Sequence, residues 1–153
     1  MENLLYEDRP KYDFWLKLIL GGVLTLTFVP GAVFLFEDVG AAWLMFGVTA
    51  FDALLLKAIL PQRFQIFEDR LKIVLGGPFA LNIPFSDIID VRAVPGARAL
   101  IFLGVRFATS ARTVVEIVRH KALNVVISPA DRGIFVEQLK QALEAAQNQS
   151  KQA

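Results

Sequence analysis

The chain has no cysteine and a single histidine, His120, among its 153 residues. A disulfide framework, thiolate metal ligation and a cysteine nucleophile are excluded by that absence. His-rich metal sites and two-histidine mechanisms fall with them. Charge is sparse as well: Asp, Glu, Lys and Arg make up 20% of the chain, below the soluble norm of about 25%. No internal repeat or low-complexity run occurs, so disorder, collagen and coiled coil are excluded. What is abundant is apolar. Hydrophobic residues reach 55% and the mean hydropathy is +0.50, above a soluble norm of roughly 45–50% apolar.

The charge divides unevenly along the chain. Residues 1–60 carry four basic and seven acidic side chains, a net −3, and residues 61–153 carry twelve and eight, a net +4. The apolar excess lies in the first part. Two physically different objects meet near Pro61.

From Leu18 to Phe36 there are nineteen consecutive residues without a charge. At a helical rise of ~1.5 Å per residue they cover roughly 30 Å, the thickness of a bilayer core. A second apolar run, Val39 to Leu60, is interrupted by Asp52 and Lys57. Glu37-Asp38-Val39-Gly40 separates the runs and can form a tight turn. A signal peptide does not fit, because the first run follows an acidic segment, is too long and lacks a small-x-small cleavage site. The alternative is a pair of buried helices in a soluble core. So short a chain has little other mass to cover two such helices, and a transmembrane hairpin over residues 18–60 is expected.

Arg9, Lys11 and Lys17 precede the first span, Lys57, Arg63 and Arg70 follow the second, and the turn has neither Lys nor Arg. The positive-inside rule then places both termini in the cytoplasm, with residues 1–17 as a cytoplasmic segment. Trp15, with Tyr12, and Trp43 serve as interfacial aromatics at the inner and outer boundaries. Trp15, Lys17, Trp43 and Lys57 are the expected membrane anchors. Pro30-Gly31 is expected to kink the first helix and Pro61 to mark the exit of the second. Asp52 is an intramembrane carboxylate and so a functional candidate. The plainer reading satisfies it with Lys57, Thr25 or headgroup water near the cytoplasmic end.

The remainder reads as a small β domain closed by one helix. Arg63–Glu68 and Arg70–Leu75 form a hairpin around Glu68-Asp69. Phe79–Ile83 and Ile88–Val94 are further strands, with Pro84 at an edge or bend. Leu100–Ala108 is apolar, and Thr113–His120 pairs with Leu123–Ser128 in a Val- and Ile-rich hairpin. Ser128-Pro129-Ala130-Asp131 reads as a helix start, with Ser128 capping and Pro129 at the first helical position. Phe135, Leu139, Ala142 and Ala146 then share one helical stripe, widened by Leu143. The polar tail spans 147–153.

The order of these pieces resembles a known family. Ile83-Pro84-Phe85-Ser86-Asp87-Ile88, Gly104-Val105-Arg106, Val114-Val115-Glu116-Ile117 and Ile127-Ser128-Pro129-Ala130-Asp131 look like the bacterial pleckstrin-homology (PH) domains found beside transmembrane hairpins. The resemblance covers about 62–146. It implies a membrane protein of α+β class: a two-helix transmembrane hairpin, then a PH-like small β-barrel or sandwich capped by one C-terminal helix. It also implies a membrane-associated, non-enzymatic module. Eukaryotic relatives bind phosphoinositides near the first hairpin. Here Arg63, Arg70 and Lys72 lie in that region, but Glu68-Asp69 at the turn opposes phosphate.

No catalytic constellation emerges. Asp87 and Asp90 read as turn and strand-edge residues, and His120 as a solvated turn residue between Arg119 and Lys121. Gly76-Gly77-Pro78 lacks the lysine and the placement of a phosphate loop. No cofactor, metal, nucleic acid or small-molecule substrate is implied. Two signals remain. Arg98, Arg106, Arg112, Arg119 and Lys121, opposed by Glu116 alone, form a basic segment suited to anionic headgroups. Leu100-Ile101-Phe102-Leu103 places four large apolar residues in a row, which cannot all face one side of a sheet. The expectation is a cytoplasmic-facing interaction or scaffold protein of the inner membrane. It contacts lipid and docks a protein partner or further copies of itself, as an accessory or assembly subunit of a larger complex. The alternative is an anionic-lipid sensor.

Overall fold

The structure, a computed structural model, describes residues 3–95, 104–112 and 114–152. A short strand, β1 (Leu4–Asp8), precedes two 21-residue helices, α1 (Phe14–Phe34) and α2 (Val39–Ile59). Among the described residues seven strands follow: β2 (Pro61–Phe67), β3 (Arg70–Leu75), β4 (Ala80–Pro84), β5 (Ile88–Val94), β6 (Val105–Phe107), β7 (Val114–Arg119) and β8 (Val125–Ile127). The chain closes with α3 (Arg132–Gln152). The class is α+β, with both long helices ahead of most of the β structure.

The two long helices pack as an antiparallel hairpin. Gly31 is the close-approach point: a Cβ there would stand 3.0 Å from the Phe46 ring and 3.1 Å from Met45 Cβ. One turn away, Thr49 Oγ1 donates to Thr27 Oγ1 across the pair at 3.0 Å. Asp38 starts α2, its carboxylate accepting from the Gly40 and Ala41 N–H groups. α1 runs through Pro30 to Phe34 and begins at Phe14, four residues before the charge-free run, because Lys17 at its exposed edge does not interrupt a helix. Only 6% of the most apolar window of either helix is buried. Core helices of a soluble domain would be mostly covered, and these are not. Both are long and apolar enough to cross a membrane.

Among the described residues the β domain forms two four-stranded sheets, β1-β2-β3-β4 and β5-β7-β8-β6. The first is antiparallel throughout. In the second, β6 runs parallel to β8 at the edge. The expected hairpins are present, with β2–β3 turning at Glu68-Asp69 and β7 pairing antiparallel with β8. Among the described residues the sheets do not join into a closed barrel. The chain leaves β4 at Pro84 through a single 3-10 turn, Phe85–Asp87, and enters the second sheet at β5 instead of extending the first. Pro84 has no N–H to carry a ladder onward.

Alternating inward residues of both sheets meet in one core. Phe64, Ile66, Leu71, Ile73 and Ile83 come from the first sheet, and Val91, Val115, Ile117, Val125 and Ile127 from the second. Phe135, Leu139 and Ala142 of α3 complete it, with Leu143 and Ala146 at its margin, as the helical stripe requires. Phe135 is fully buried and meets Phe64 and Tyr6 edge to face.

The start of α3 corrects the sequence reading. Asp131 is the cap: its Oδ1 accepts from Gly133 N at 3.0 Å and Ile134 N at 3.1 Å. Ser128 is not. Its hydroxyl donates to Ser110 O at 2.9 Å and accepts from Ser110 N at 3.2 Å, so it is spent on joining two strand ends. Asp131→Ala is accordingly expected to cost about 1 kcal/mol. Urea unfolding of the full chain in detergent measures the cost, and an unchanged midpoint would place the cap elsewhere.

Candidate interaction surface at the base of the helical hairpin

The sequence reading left residues 1–17 without a fold. Residues 3–17 are bonded to both sheets of the β domain. β1 pairs with β2 through Tyr6↔Ile66, Glu7↔Gln65 and Asp8↔Phe64. β1 therefore enters α1, and α2 exits into the strand beside β1. Both ends of the hairpin are held in adjacent strands of one sheet.

Between β1 and α1 the chain is tied to the second sheet. Pro10 bridges Pro129, Lys11 N donates to Ser128 O, and Thr109 Oγ1 donates to Lys11 O at 2.7 Å. Asp13 N donates to Thr109 O. Asp13 precedes α1 in extended conformation but makes no side-chain cap to it. Its carboxylate accepts instead from Ala111 N and Ser110 Oγ, both at 2.8 Å. The Ala111 N–H, then the Ser110 hydroxyl, hold this carboxyl below its ordinary pKa against the opposing effect of burial. Tyr12 Oη donates to Pro61 O, linking the entry of α1 to the exit of α2. Burial pushes the Tyr12 phenol up.

The exit is held as closely. Gly76 N donates to Leu60 O at 3.0 Å, and the Gly76-Gly77 loop lies against the last turn of α2. A side chain at Gly76 would overlap the Lys57 carbonyl. The domain thus holds the hairpin by contacts at both of its ends.

The expected site residues separate into groups. Trp15, 74% exposed, and Arg106 come together with Ile19 and Ala111 around a cleft of about 230 Å³ at the foot of α1. Lys17 and Lys57 are exposed near the same end of the hairpin. Trp43, exposed at the far end, stands edge-on to Phe46 at 6.3 Å. Arg98, Leu100, Ile101, Phe102 and Leu103 lie outside the described residues.

The basic segment does not form one face among the described residues. Arg112 is exposed near the base, where its N–H donates to Ser110 Oγ. Arg119 ends β7 and Lys121 lies just beyond it, roughly 20 Å from Arg112 at ~3.3 Å per residue. Lys121 is exposed. Arg119 is turned inward. Its Nε and Nη2 donate to Asp87 Oδ2 at 2.8 and 2.7 Å, with side-chain exposures of 13% and 10% for the pair. The Lys121 N–H donates to Asp87 Oδ1 at 2.9 Å, and His120 N donates to Asp87 O. The Lys121 N–H, followed by the Arg119 guanidinium, depresses the Asp87 pKa despite its burial. Asp87 is thus a buried acceptor that closes the β7–β8 turn onto the 3-10 turn. No local pattern announces that pairing, since its members are 32 residues apart.

Asp52 is half-buried and lies three residues beyond Thr49 on α2, so both fall on one side of the helix. Thr25, an expected partner, donates to Gly21 O within its own helix at 2.8 Å. Among the described residues no group of three or more His, Asp or Glu side chains converges as a metal site would require.

No protein-family model, curated protein or solved structure matches this chain.

Proposed function

We propose that the protein is a non-enzymatic, membrane-anchored interaction module. In this reading α1 and α2 lie in the inner membrane, with both termini and the β domain on the cytoplasmic side. The domain docks a protein partner there as an accessory or assembly subunit of a larger complex. One observation carries the reading: both crossings of the hairpin are fastened to the same β domain. Such fastening holds the domain in one orientation to the bilayer, which suits a docking platform. Side-chain exposure along both helices supports the anchor. Lys17, Lys57 and Arg63 at the base, opposite Glu37-Asp38 at the tip, support the orientation.

Affinity purification of the full chain from native membranes in mild detergent, with the intact mass recorded, tests this. A defined heteromeric assembly is expected. A clean monomer across several detergents overturns it.

A second reading, anionic-lipid sensing, is favoured by the cleft that joins Arg106 to Trp15. Arg106 and Arg112 are the residues to change, because Arg119 is committed to Asp87. The full chain is the proper material, since a fragment starting at residue 62 lacks β1 and the Asp13 contacts. Arg106→Glu with Arg112→Glu is expected to abolish the salt-dependent preference of the reconstituted full chain for anionic over zwitterionic lipid. Unchanged behaviour overturns this second reading.

A further inference from the structure

A second cleft, of about 550 Å³, opens on the α2 side of the hairpin base. That volume is ordinary for a small-molecule site. Its floor is the outward face of β2 and β3. The register sets Arg63 opposite Val74 and Gln65 opposite Lys72, which makes Arg63 and Lys72 diagonal neighbours roughly 7 Å apart. Lys57, in the last turn of α2, and the loop from Gly76 to Phe79 packed against that turn close one end of the cleft. The lining therefore brings three cations together and, among the described residues, no carboxylate. Glu7 sits beside it, 3.5 Å from Arg63 and accepting from Gln65 Nε2 at 2.7 Å. The Lys72 ammonium lies 6.0 Å from the Phe67 ring centroid.

The two walls differ in chemistry. The strand wall is cationic. The helix wall continues into apolar surface: Leu54, one turn from Lys57 on the same face, is 67% exposed, and Phe79 at the cleft mouth is 64% exposed. A soluble phosphate would use the first wall alone. An amphiphile uses both.

We propose that this cleft binds the phosphate of an anionic membrane lipid, whose acyl chains lie along α2 beside Leu54. The assignment rests on the hairpin lying in a bilayer. It differs in place from the hairpin tip at Glu68-Asp69, which lies at the opposite end of β2 and β3. Lys57, Arg63 and Lys72 hold the phosphate, and Gln65 can donate to its oxygens once released from Glu7. Glu7 acts as a built-in competitor for Arg63.

The test uses the full chain in detergent, exchanged with equimolar phosphatidylglycerol and phosphatidylcholine and read by native mass spectrometry. Preferential retention of phosphatidylglycerol is expected. Arg63→Ala and Lys72→Ala should each weaken it about fivefold, the effect of one basic residue near an anionic surface. Glu7→Gln should strengthen it. Lys140→Ala, an exposed cation on α3, should leave it unchanged. Equal retention of the two lipids overturns the proposal, as does an equal loss in Lys140→Ala. Displacement of the lipid by millimolar glycerol phosphate alone overturns the lipid source in favour of a soluble ligand. Alkaline carbonate extraction separates the two levels. A chain released by carbonate defeats the membrane reading itself, whereas a chain that stays embedded without lipid preference defeats this site alone.

Discussion

Arg119→Ala is expected to lower the melting temperature of the full chain by roughly 10 °C, the largest effect among single charge removals in the domain. The reason is asymmetric. With Arg119 present, Asp87 has two side-chain donors on one oxygen and the Lys121 N–H on the other. Without it, a buried carboxylate keeps its charge and loses its main counter-charge. Removing both partners should cost less than the sum of the single changes, so Arg119→Ala with Asp87→Ala closes a double-mutant cycle with a clear coupling. Additive losses would show that the pair is not coupled. The pH dependence follows. The folded pKa of Asp87 lies below its unfolded value, which is about 3.9. Its contribution is therefore present above that value and is lost as pH falls through the folded one. Asp87→Asn should flatten the acid limb of stability below about pH 4. Asp13, also depressed, retains part of that limb.

Gly76→Ala is expected to detach the first sheet from α2 at a cost of about 3 kcal/mol. The backbone angles at Gly76 do not require glycine, as no residue of positive φ occurs among those described. The requirement is space. The new Cβ would overlap the Lys57 carbonyl oxygen and lie 2.9 Å from its carbon. Both are backbone atoms at a helix end, which cannot rotate away as a side chain can. The loop must withdraw, and the Gly76 N–H bond to Leu60 O is lost with it. Gly77→Ala serves as the graded control, because its Cβ meets Ala58 Cβ at 3.2 Å and should cost below about 1 kcal/mol. Limited proteolysis near 60–62 and 76–79 reads the detachment, with a domain core still resistant. Equal protection of both variants and the parent chain would show that the loop does not carry this contact.

Much of the fold is legible in the sequence where one residue pattern decides one element. The Glu68-Asp69 turn, the strand Ile88–Val94 and the stripe from Phe135 to Ala146 follow from local alternation or helical spacing. What was hidden depends on partners far along the chain. β1 has a single apolar residue facing the core, Tyr6, so it carries no periodic signal, and its partner β2 arrives after the whole hairpin. Ser128 and Asp131 both offer capping oxygens. Ser110 takes the first, so the helix starts at the second. Asp13 and Asp87 look like ordinary surface acids until Ala111 and Arg119 are brought to them by tertiary structure. The basic segment reads as one feature in sequence and separates because β7 carries its ends to opposite sides of the domain. The site is legible in its aromatic and cationic ingredients, Trp15 and Arg106, and not in the clamp that assembles them.

The adjacency of β1 and β2 has a mechanical meaning. Helices in a bilayer answer a change in hydrophobic thickness by tilting. A hairpin joined to its domain by one flexible linker would tilt alone. Here both legs enter neighbouring strands of one sheet, so a tilt of the hairpin becomes a rotation of the whole domain. In the orientation proposed above, the molecule would act as a lever with its fulcrum at the headgroups. Local bilayer thickness would then set which part of the domain points toward the cytoplasm.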